Sequence, residues 1–491
     1  MDATAWVPIR WPCGPLEIER VKAVPGVTTS DVLALRQWSE PALLDRIAGS
    51  PVSCLVVPWA EGSERDGEHQ RSLVPLLAAA RQRGLALVGW SGEKADTRRA
   101  LQAARDAGLD AIATGAADAP ADAAVLRFRD QWLADRSPSD FVGAFGPAWP
   151  GLRVTTSGDV DAETGPTGPP WLNSNAWYVR LARALVQPKT LWLAFEPPEI
   201  GQPVAAVSYA QAVADSAIHG GRWLVSLDQR LRVALAADTA SARATCAALA
   251  QSLAFFEAHR AWAGYDAVGQ LGVVSDYAGP HAFLAFEVLN LLARQGSLAR
   301  IVETRRVHEA TSLEGLDAVL YVDAAPPDRD VARKLYAFAE AGGALITPPG
   351  REERGAPSEG PWLPGFRLLR HGAGRLAVAR EDFADPYRLA EDAQLVMSHR
   401  HDRLRIFNPG TSQSHYLASG DGRAGVLHTL SYQAPGARTP TGVWFRRAWK
   451  EGQAWSLDGA RPVPAARSVA EPGVEFQPPP VSVYSALELL G

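Results

Sequence analysis

The feature that most constrains the fold of this chain is a regular alternation of short apolar runs and amphipathic stretches in its first 230 residues. The apolar runs predict strands, and the stretches between them carry apolar residues at helical spacing. Strands that alternate with helices favour a parallel sheet, because each parallel pair needs a crossover connection. We predict eight strands, at Val32–Trp38, Ser53–Trp59, Leu85–Trp90, Ala111–Thr114, Ala124–Phe128, Leu152–Thr156, Thr190–Glu196 and Arg222–Asp228.

Eight strand–helix units within about 200 residues have the size of a compact (β/α)₈ barrel. The fourth and fifth units are the shortest, since Gly115–Asp122 leaves room for little more than one helical turn. We therefore predict an α/β protein whose residues 1–265 form a (β/α)₈ TIM barrel with an N-terminal extension.

A second series of strands and helices follows the barrel and predicts an open, doubly wound α/β domain over residues 266–350. Its predicted strands are Leu271–Ser275, Ala299–Glu303, Ala318–Val322 and Ala344–Thr347. The segment Pro348–Pro361 is rich in Gly, Pro and Glu and marks a boundary. Beyond it, short alternating runs such as Arg375–Ala379 and Leu404–Phe407 predict a small antiparallel β-sandwich over residues 351–491.

Composition and motifs exclude several classes of protein. The net charge of −5 and the pI near 6.1 give no basic footprint, so we predict no nucleic-acid partner. No apolar run reaches the roughly 18 residues of a membrane span. The N-terminus lacks the apolar core of a signal peptide, so the protein is either cytoplasmic or exported with that peptide removed. Residues 266–350 contain no GxGxxG or Walker sequence, the chain contains no GxSxG or HExxH sequence, and we predict no cofactor.

Two carboxylates follow neighbouring predicted strands at the edge where barrel active sites lie. Glu196 ends the seventh predicted strand, and Pro197 and Pro198 stiffen the loop behind it. Asp228 ends the eighth. A pair of carboxylates is what glycoside hydrolysis requires, because one protonates the leaving oxygen and the other attacks carbon or activates water. We predict Glu196 and Asp228 as catalytic residues, with helix capping as the alternative role of Asp228.

Tryptophan recurs at the ends of the first three predicted strands, as Trp38, Trp59 and Trp90. The chain has sixteen Trp and two Met, and the flat indole face suits stacking against sugar rings. We predict that these three residues form a rim that binds a carbohydrate. Packing beneath the loops is the structural alternative.

Five further residues are predicted to bind the substrate. Glu61 lies close to the second strand tip, and Arg127 lies near the fifth, where it could bind a carboxylated sugar or form an ion pair. Trp171, Asn173 and Asn175 belong to a long loop after the sixth predicted strand, and long loops in compact domains are often functional. The two Asn side chains suit hydrogen bonding to sugar hydroxyls, or capping of the helix that follows.

The order of barrel, doubly wound domain and β-sandwich resembles multidomain glycoside hydrolases, and the family 42 β-galactosidases in particular. Leu271–Ser275 and Ala318–Val322 resemble strands of the glutamine amidotransferase-like middle domain of those enzymes, and no Cys occurs between residues 247 and 491 to act as an amidotransferase nucleophile. The run Leu404–Pro409 and the terminal Tyr484–Leu489 resemble parts of their closing domain.

The resemblance implies an acid/base glutamate at the fourth strand and a nucleophilic glutamate at the seventh. Glu196 matches the second position. The fourth predicted strand is followed by Gly115, Ala116 and Ala117, and its nearest acid is Asp118, so this chain departs from the first position. The middle and closing domains of such enzymes often mediate assembly, which implies a possible homo-oligomer.

Three hypotheses about function follow. The first is a glycoside hydrolase that acts on a carbohydrate through carboxylates at the carboxyl-terminal face of the barrel. The second is a carbohydrate-binding or scaffold protein built on a degenerate, non-catalytic barrel. The third is a metal-dependent hydrolase that uses His69 or the pair His399 and His401.

Overall fold

A computed structural model describes residues 3–24, 26–129, 140–146, 148–152, 172–186, 188–199, 202–309, 311–350, 356–357, 363–408, 410–433, 441–457, 459–480 and 482–491. The chain divides into two compact units. The first comprises Met1–Pro150 and Val186–Arg260, and the second comprises Gly151–Leu185 and Ala261–Gly491. In the described parts of both units, no helix is long and apolar enough to cross a membrane.

The first unit is built around a parallel barrel. In chain order, the first ten strands are β1 Pro8–Arg10, β2 Cys54–Ala60, β3 Ala86–Ser91, β4 Ala111–Thr114, β5 Val125–Arg129, β6 Phe141–Phe145, β7 Gly151–Leu152, β8 Leu172–Asn173, β9 Thr190–Ala194 and β10 Arg222–Trp223. All except β7 and β8 form one parallel sheet in the order β1-β2-β3-β4-β5-β6-β9-β10. Backbone hydrogen bonds between β1 and Val225 close this sheet into a ring, so the predicted eight-stranded barrel is confirmed.

Helices connect most of the barrel strands. In chain order they are α1 Gly14–Lys22, α2 Thr29–Arg36, α3 Asp66–Gln82, α4 Thr97–Asp106, α5 Ala176–Leu185, α6 Ala206–Ala217, α7 Gln229–Ala236 and α8 Ala240–Ala258. All except α5 belong to the first unit. The connection from β4 to β5 contains only turns, as the short interval between those strands predicts.

The apolar run Val32–Trp38, predicted as the first strand, is helical instead. It lies in α2 and in the 3₁₀ helix Gln37–Ser39 that follows. Thr28 and Asp31 form a capping box at the start of α2, in which each side chain accepts a hydrogen bond from the backbone N–H of the other. This cap fixes the helix start at Thr29, three residues before the apolar run, so the run continues a helix.

Two barrel strands lie elsewhere than predicted. The first is the three-residue β1, within the segment interpreted as an N-terminal extension. The sixth is β6 rather than Leu152–Thr156. Leu152 pairs with Leu172 in the antiparallel hairpin of β7 and β8 in the second unit, and residues 153–156 lie outside the described residues.

Side chains along the barrel strands alternate between the interior and the surrounding helices. In β2, Cys54 and Val56 belong to the interior core, whereas Trp59 has the opposite orientation. The Trp59 indole N–H donates to the carbonyl of Ala100 in α4 at 3.1 Å. The interior core consists of Cys54, Val56, Val88, Ala111, Ala113, Leu126, Phe128, Trp192, Ala194 and Leu224.

A buried histidine fixes the position of α1 against β2. The backbone N–H of Leu16 donates to Nδ1 of His69 at 3.4 Å, and Nε2 of His69 lies 2.8 Å from the carbonyl oxygen of Pro58. Nδ1 is therefore the acceptor, and Nε2 carries the proton. Burial lowers the pKa of His69, which favours this neutral ring. Gly14 begins α1 with a φ of +81° and packs directly against the same ring.

Gly14→Ala should destabilise the first unit by about 1 to 3 kcal/mol, because an added methyl group would overlap Cε1 and Nδ1 of His69 in a packed core. The matched control is Gly26→Ala, since Gly26 has a similar φ of +82° and no atom lies within 4 Å of the position that its added methyl group would take. Urea unfolding of both variants measures the difference. Equal losses would show that backbone conformation, and not the contact with His69, accounts for the effect.

The second unit contains an open α/β sheet. Its next strands and helices are β11 Asp266–Ala267, β12 Leu271–Ser275, α9 Ala282–Arg294, β13 Ala299–Glu303, β14 Ala318–Tyr321, α10 Arg329–Glu340, β15 Ala344–Thr347, β16 Ala356–Pro357, β17 Phe366–His371, β18 Gly374–Ala379 and α11 Pro386–Met397. The order β13-β12-β14-β15-β18-β17-β16 is parallel from β13 to β18. Arg375–Ala379, predicted in the sandwich, instead extends this sheet beyond residue 350.

The predicted β-sandwich forms the remainder of the second unit. Its strands are β19 Leu404–Phe407, β20 Ser412–Ala418, β21 Ala424–Ser431, β22 Gly442–Phe445, β23 Glu451–Ser456, β24 Val463–Pro464, β25 Ala466–Ala470, β26 Gly473–Gln477 and β27 Tyr484–Leu490. One sheet has the order β11-β20-β21-β27-β23-β24, and the other has the order β19-β22-β26-β25. A core that includes Leu427, Phe445, Phe476 and Leu487 joins the two sheets.

Candidate functional site

A cavity of about 380 Å³ opens at the carboxyl ends of the barrel strands. Its wall includes Arg10 at the end of β1, Glu61 after β2, Trp90 near the end of β3, Glu196 after β9 and Ser226 after β10. Active sites of TIM-barrel enzymes lie at this face, because the loops after the strands converge there. The cavity is therefore the candidate functional site of the first unit.

Glu196 is held by two neighbours within this cavity. Nη1 of Arg10 donates to Oε1 of Glu196, and the hydroxyl of Ser226 donates to Oε2. The Glu196 side chain remains 52% exposed, so the pair does not close it off from the cavity. A guanidinium ion and a hydroxyl donor both stabilise the ionised carboxylate over its protonated form.

Arg10 is itself confined by the cavity wall. Its guanidinium carbon lies 4.5 Å from the centre of the Trp90 ring, within the range of a cation–π contact. Burial lowers the pKa of Arg10 to about 10, and the nearby charge of Arg20 acts in the same direction. Arg10 is still a cation near neutral pH, and its charge is directed at Glu196.

A second set of charges centres on Glu17, a buried residue of α1. Nη1 of Arg232 lies 2.7 Å from Oε1 of Glu17, and Nη2 of Arg20 lies 3.0 Å from Oε2. Only 4% of the Glu17 side chain and 11% of the Arg232 side chain are exposed, whereas the Arg20 side chain is 61% exposed. One carboxylate thus serves two guanidinium groups, and all three side chains line the cavity.

Glu61 occupies a different electrostatic environment from Glu196. The pKa of its carboxyl group is raised, mainly because surrounding protein removes part of its hydration, and the positive charge of Arg20 opposes this shift. The Asp66 carboxylate accepts hydrogen bonds from the backbone N–H groups of Glu61 and Gly62, which fixes the loop that carries Glu61. The cavity therefore contains one carboxylate paired with a guanidinium group and one whose pKa is raised by the loss of hydration.

Three of the predicted site residues, Glu196, Glu61 and Trp90, lie together in this cavity. Asp228 does not line it. Asp228 is 1% exposed and caps α7: its Oδ1 accepts from the N–H of Leu231, and its Oδ2 accepts from the N–H of Val204 and from the hydroxyl of Tyr209. Both oxygens are occupied by structural donors, so capping, the alternative role, is the one that the structure supports.

Trp38, Trp59 and Arg127 also lie away from the cavity. Trp38 is 1% exposed and packs against Trp11 with ring centres 4.7 Å apart, and Trp59 is equally buried between β2 and the helices. Arg127 follows the interior residue Leu126 in β5 and so has the outward orientation, where it donates to the carbonyl of Ala119 at 2.6 Å. Of the three tryptophans predicted to form a rim, only Trp90 lines this cavity.

Two of the remaining predicted residues, Asn173 and Asn175, do not belong to the first unit. Asn173 lies in β8, paired with Gly151, and Asn175 is fully buried just before α5. Both are part of the second unit. Trp171 lies outside the described residues.

Several residues of the cavity were not predicted from the sequence, namely Arg10, Glu17, Arg20, Ser226 and Arg232. Arg10, Glu17 and Arg20 depend on the correct first strand, because they end β1 or follow it directly. The sequence does carry a signal for that strand, since Thr28 and Asp31 have the three-residue separation of a capping box. If residues 29–36 are assigned to a helix, the first barrel strand must be the apolar run that ends at Arg10.

The metal hypothesis receives no support at the predicted histidines. Both ring nitrogens of His69 are used by the backbone of Leu16 and Pro58. His399 and His401 lie in a 3₁₀ helix, not on one face of a strand, and His399 pairs with Asp402 at 3.0 Å. Among the described residues, one group has metal-ligand atoms within 4.8 Å of each other: Asp276, His281 and Asp323, in the second unit.

Comparison with known proteins is consistent with this architecture. No family model matches the sequence, and no curated protein matches it. The structure is similar to that of α-L-fucosidase isoenzyme 2 from Paenibacillus thiaminolyticus, with a TM-score of 0.55 and 11% identity over 92% of this chain and 96% of that chain. This similarity shows a shared fold, and the predicted resemblance to multidomain barrel glycoside hydrolases is confirmed at that level.

Two further solved structures also match over most of this chain. One is a rhamnosidase from Novosphingobium sp. PP1Y, with a TM-score of 0.45 and 10% identity over 87% of this chain and 39% of that chain. The other is a β-galactosidase from Bacillus circulans sp. alkalophilus, with a TM-score of 0.38 and 10% identity over 87% of this chain and 68% of that chain.

Proposed function

We propose that this protein is a glycoside hydrolase in which Glu196 is the nucleophile or base and Glu61 is the general acid. The observation that carries the proposal is the presence of two carboxylates in opposite environments within one cavity at the active-site face of a barrel. Glycoside hydrolysis needs one carboxyl group ionised and one protonated. When the environments of two carboxyl groups shift their pKa values in opposite directions, the group with the higher pKa is the candidate acid and the other is the candidate nucleophile or base.

The proposed roles follow from the contacts of each residue. Arg10 and Ser226 hold the Glu196 carboxylate ionised and fix its orientation. Glu61, whose pKa is raised, is the carboxyl group of the two that is better suited to donate a proton to the leaving oxygen of the sugar. Trp90 lines the same cavity, and its ring holds the Arg10 guanidinium that pairs with Glu196.

The acid role of Glu61 predicts a pH dependence. Glu61 must be protonated to act, so kcat/KM should fall as pH rises through its pKa, which lies above the ordinary carboxyl value. Glu61→Gln should lower kcat/KM by roughly 10²- to 10⁴-fold and remove this alkaline limb. The loss should be smaller for an aryl glycoside with a more acidic phenol, because that leaving group needs less protonation.

Aryl glycosides with phenols of graded acidity, assayed across the pH range, measure this effect. Glu64→Gln is the matched control, because Glu64 lies exposed in the same loop and does not line the cavity. An unchanged alkaline limb in Glu61→Gln would assign the acid to another residue.

A second candidate function is carbohydrate binding without hydrolysis. Two observations favour it: β4 is followed by Gly115 with no carboxylate at its tip, and both oxygens of Glu196 already have partners. Glycan binding by the wild type with no turnover of any aryl glycoside, and loss of that binding in Trp90→Ala, would support this function over hydrolysis.

A further inference from the structure

The cavity holds an unequal pairing of charges. Four guanidinium groups line it, those of Arg10, Arg20, Arg65 and Arg232. Glu196 pairs with Arg10, and Glu19 pairs with Arg65, while the single carboxylate of Glu17 is shared by Arg20 and Arg232. Within the cavity wall, three carboxylates thus pair with four guanidinium groups, and Glu68, which does not line the cavity, is a further partner of Arg65 at 3.5 Å. The fourth carboxylate of the wall, Glu61, forms no ion pair with any described residue.

The surplus positive charge is located at Arg20. Glu17 is buried and lies closer to Arg232, at 2.7 Å, than to Arg20, at 3.0 Å. The Arg232 side chain is 11% exposed, and the Arg20 side chain is 61% exposed. Glu17 is the only ion-pair partner of Arg20 in the described part of the chain, and it engages one of the terminal nitrogens of Arg20. The other donors of this planar group remain available at the cavity wall.

We infer that the cavity selects a glycoside that carries a carboxylate, such as a uronic acid, and that Arg20 binds this carboxylate. The inference rests on the proposed function, because Glu61 adds no negative charge when it carries the proton that its acid role requires. A guanidinium group matches a carboxylate with two parallel hydrogen bonds, which a neutral sugar hydroxymethyl group cannot form.

Glu61→Gln is the appropriate protein for a binding test, because glutamine mimics the protonated acid and slows turnover. The probes are methyl glucuronide and methyl glucoside, in both anomeric forms, titrated by calorimetry or by ligand-observed NMR. We expect the glucuronide to bind about 10- to 100-fold more tightly than the glucoside, as a charged hydrogen-bonded pair predicts. Added salt should reduce this preference.

Two double variants separate direct contact from a general charge effect. Adding Arg20→Gln to Glu61→Gln should abolish the preference for the glucuronide. Adding Arg65→Gln removes an equal charge from the wall, but that guanidinium is already paired with Glu19, so the preference should persist. Equal loss in both double variants would overturn the assignment to Arg20. Thermal melts of each variant establish that the proteins remain folded.

The outcomes also distinguish this inference from the proposed function. Equal affinity for glucuronide and glucoside, or binding of neither up to the solubility limit, would overturn the selection of a carboxylated sugar. A clear preference for the glucuronide, with no hydrolysis of any aryl glycoside by the wild type, would support the inference and contradict hydrolysis. Turnover of aryl glucosides in preference to aryl glucuronides would support hydrolysis and contradict the inference.

Discussion

Replacing Glu196 with glutamine should lower kcat for aryl glycoside hydrolysis by roughly 10²- to 10⁴-fold, the range expected when a carboxylate that acts in the transition state loses its charge. Glutamine retains the size of the side chain: its amide oxygen can still accept a hydrogen bond from Arg10, and its amide N–H group can donate to the Ser226 hydroxyl. It provides no negative charge to attack carbon, to activate water or to stabilise the cation-like sugar. KM should change much less than kcat, because the missing interaction develops in the transition state.

Glu199→Gln is the matched control for this experiment. Glu199 lies in the same loop after β9, is exposed and does not line the cavity, so its replacement should leave kcat unchanged. Glu196→Ala assayed with azide or formate then distinguishes the two roles of Glu196. Restored turnover by the added anion indicates a nucleophile, and NMR of the first product reports retention or inversion at the anomeric carbon.

Similar kcat values for the wild type and Glu196→Gln would remove Glu196 from the mechanism. The substitution also leaves the charge of Arg10 uncompensated in a partly buried position, so the unfolding midpoint of the variant should be measured alongside its activity. A large loss of activity with an unchanged midpoint would locate the effect in catalysis.

Most of the barrel could be predicted from the sequence, because β2, β3, β4, β5 and β9 are continuous apolar runs between helical stretches. The three-residue β1 is too short to give a periodic signal. The run predicted as the first strand has buried residues at Val32, Leu35 and Trp38, three apart, which is helical spacing. The wrong first strand placed Trp38 at a strand tip, although it is packed in the core.

The candidate site was predictable only where strand ends were correctly located. Glu196, Glu61 and Trp90 follow or end strands whose bounds were nearly right, so their positions at the cavity follow from topology. Asp228 stands between a strand and a helix, where an acid can face the active site or cap the helix, and sequence does not distinguish these. The extension of the α/β sheet by β17 and β18 depends on pairing across chain segments that local pattern does not specify.

Glu17→Gln should destabilise the first unit by about 3 to 5 kcal/mol, the cost typical of removing one partner from a buried ion pair. Glu17 is 4% exposed and neutralises Arg232, which is 11% exposed. Glutamine would leave that guanidinium group without a counter-charge in a site of low hydration. The exposed Arg20 can turn towards solvent, so the loss should come mainly from Arg232.

Urea unfolding followed by tryptophan fluorescence measures this effect, with Glu19→Gln as the matched control. Glu19 lies two residues further along α1 and pairs with Arg65, but its side chain is 48% exposed, so its replacement should cost at most about 1 kcal/mol. Combining Glu17→Gln with Arg232→Gln should recover part of the lost stability, because it removes the uncompensated charge. Equally small losses in the free energy of unfolding for Glu17→Gln and Glu19→Gln would contradict this prediction. They would show that Glu17 is not needed as a buried counter-ion for Arg232.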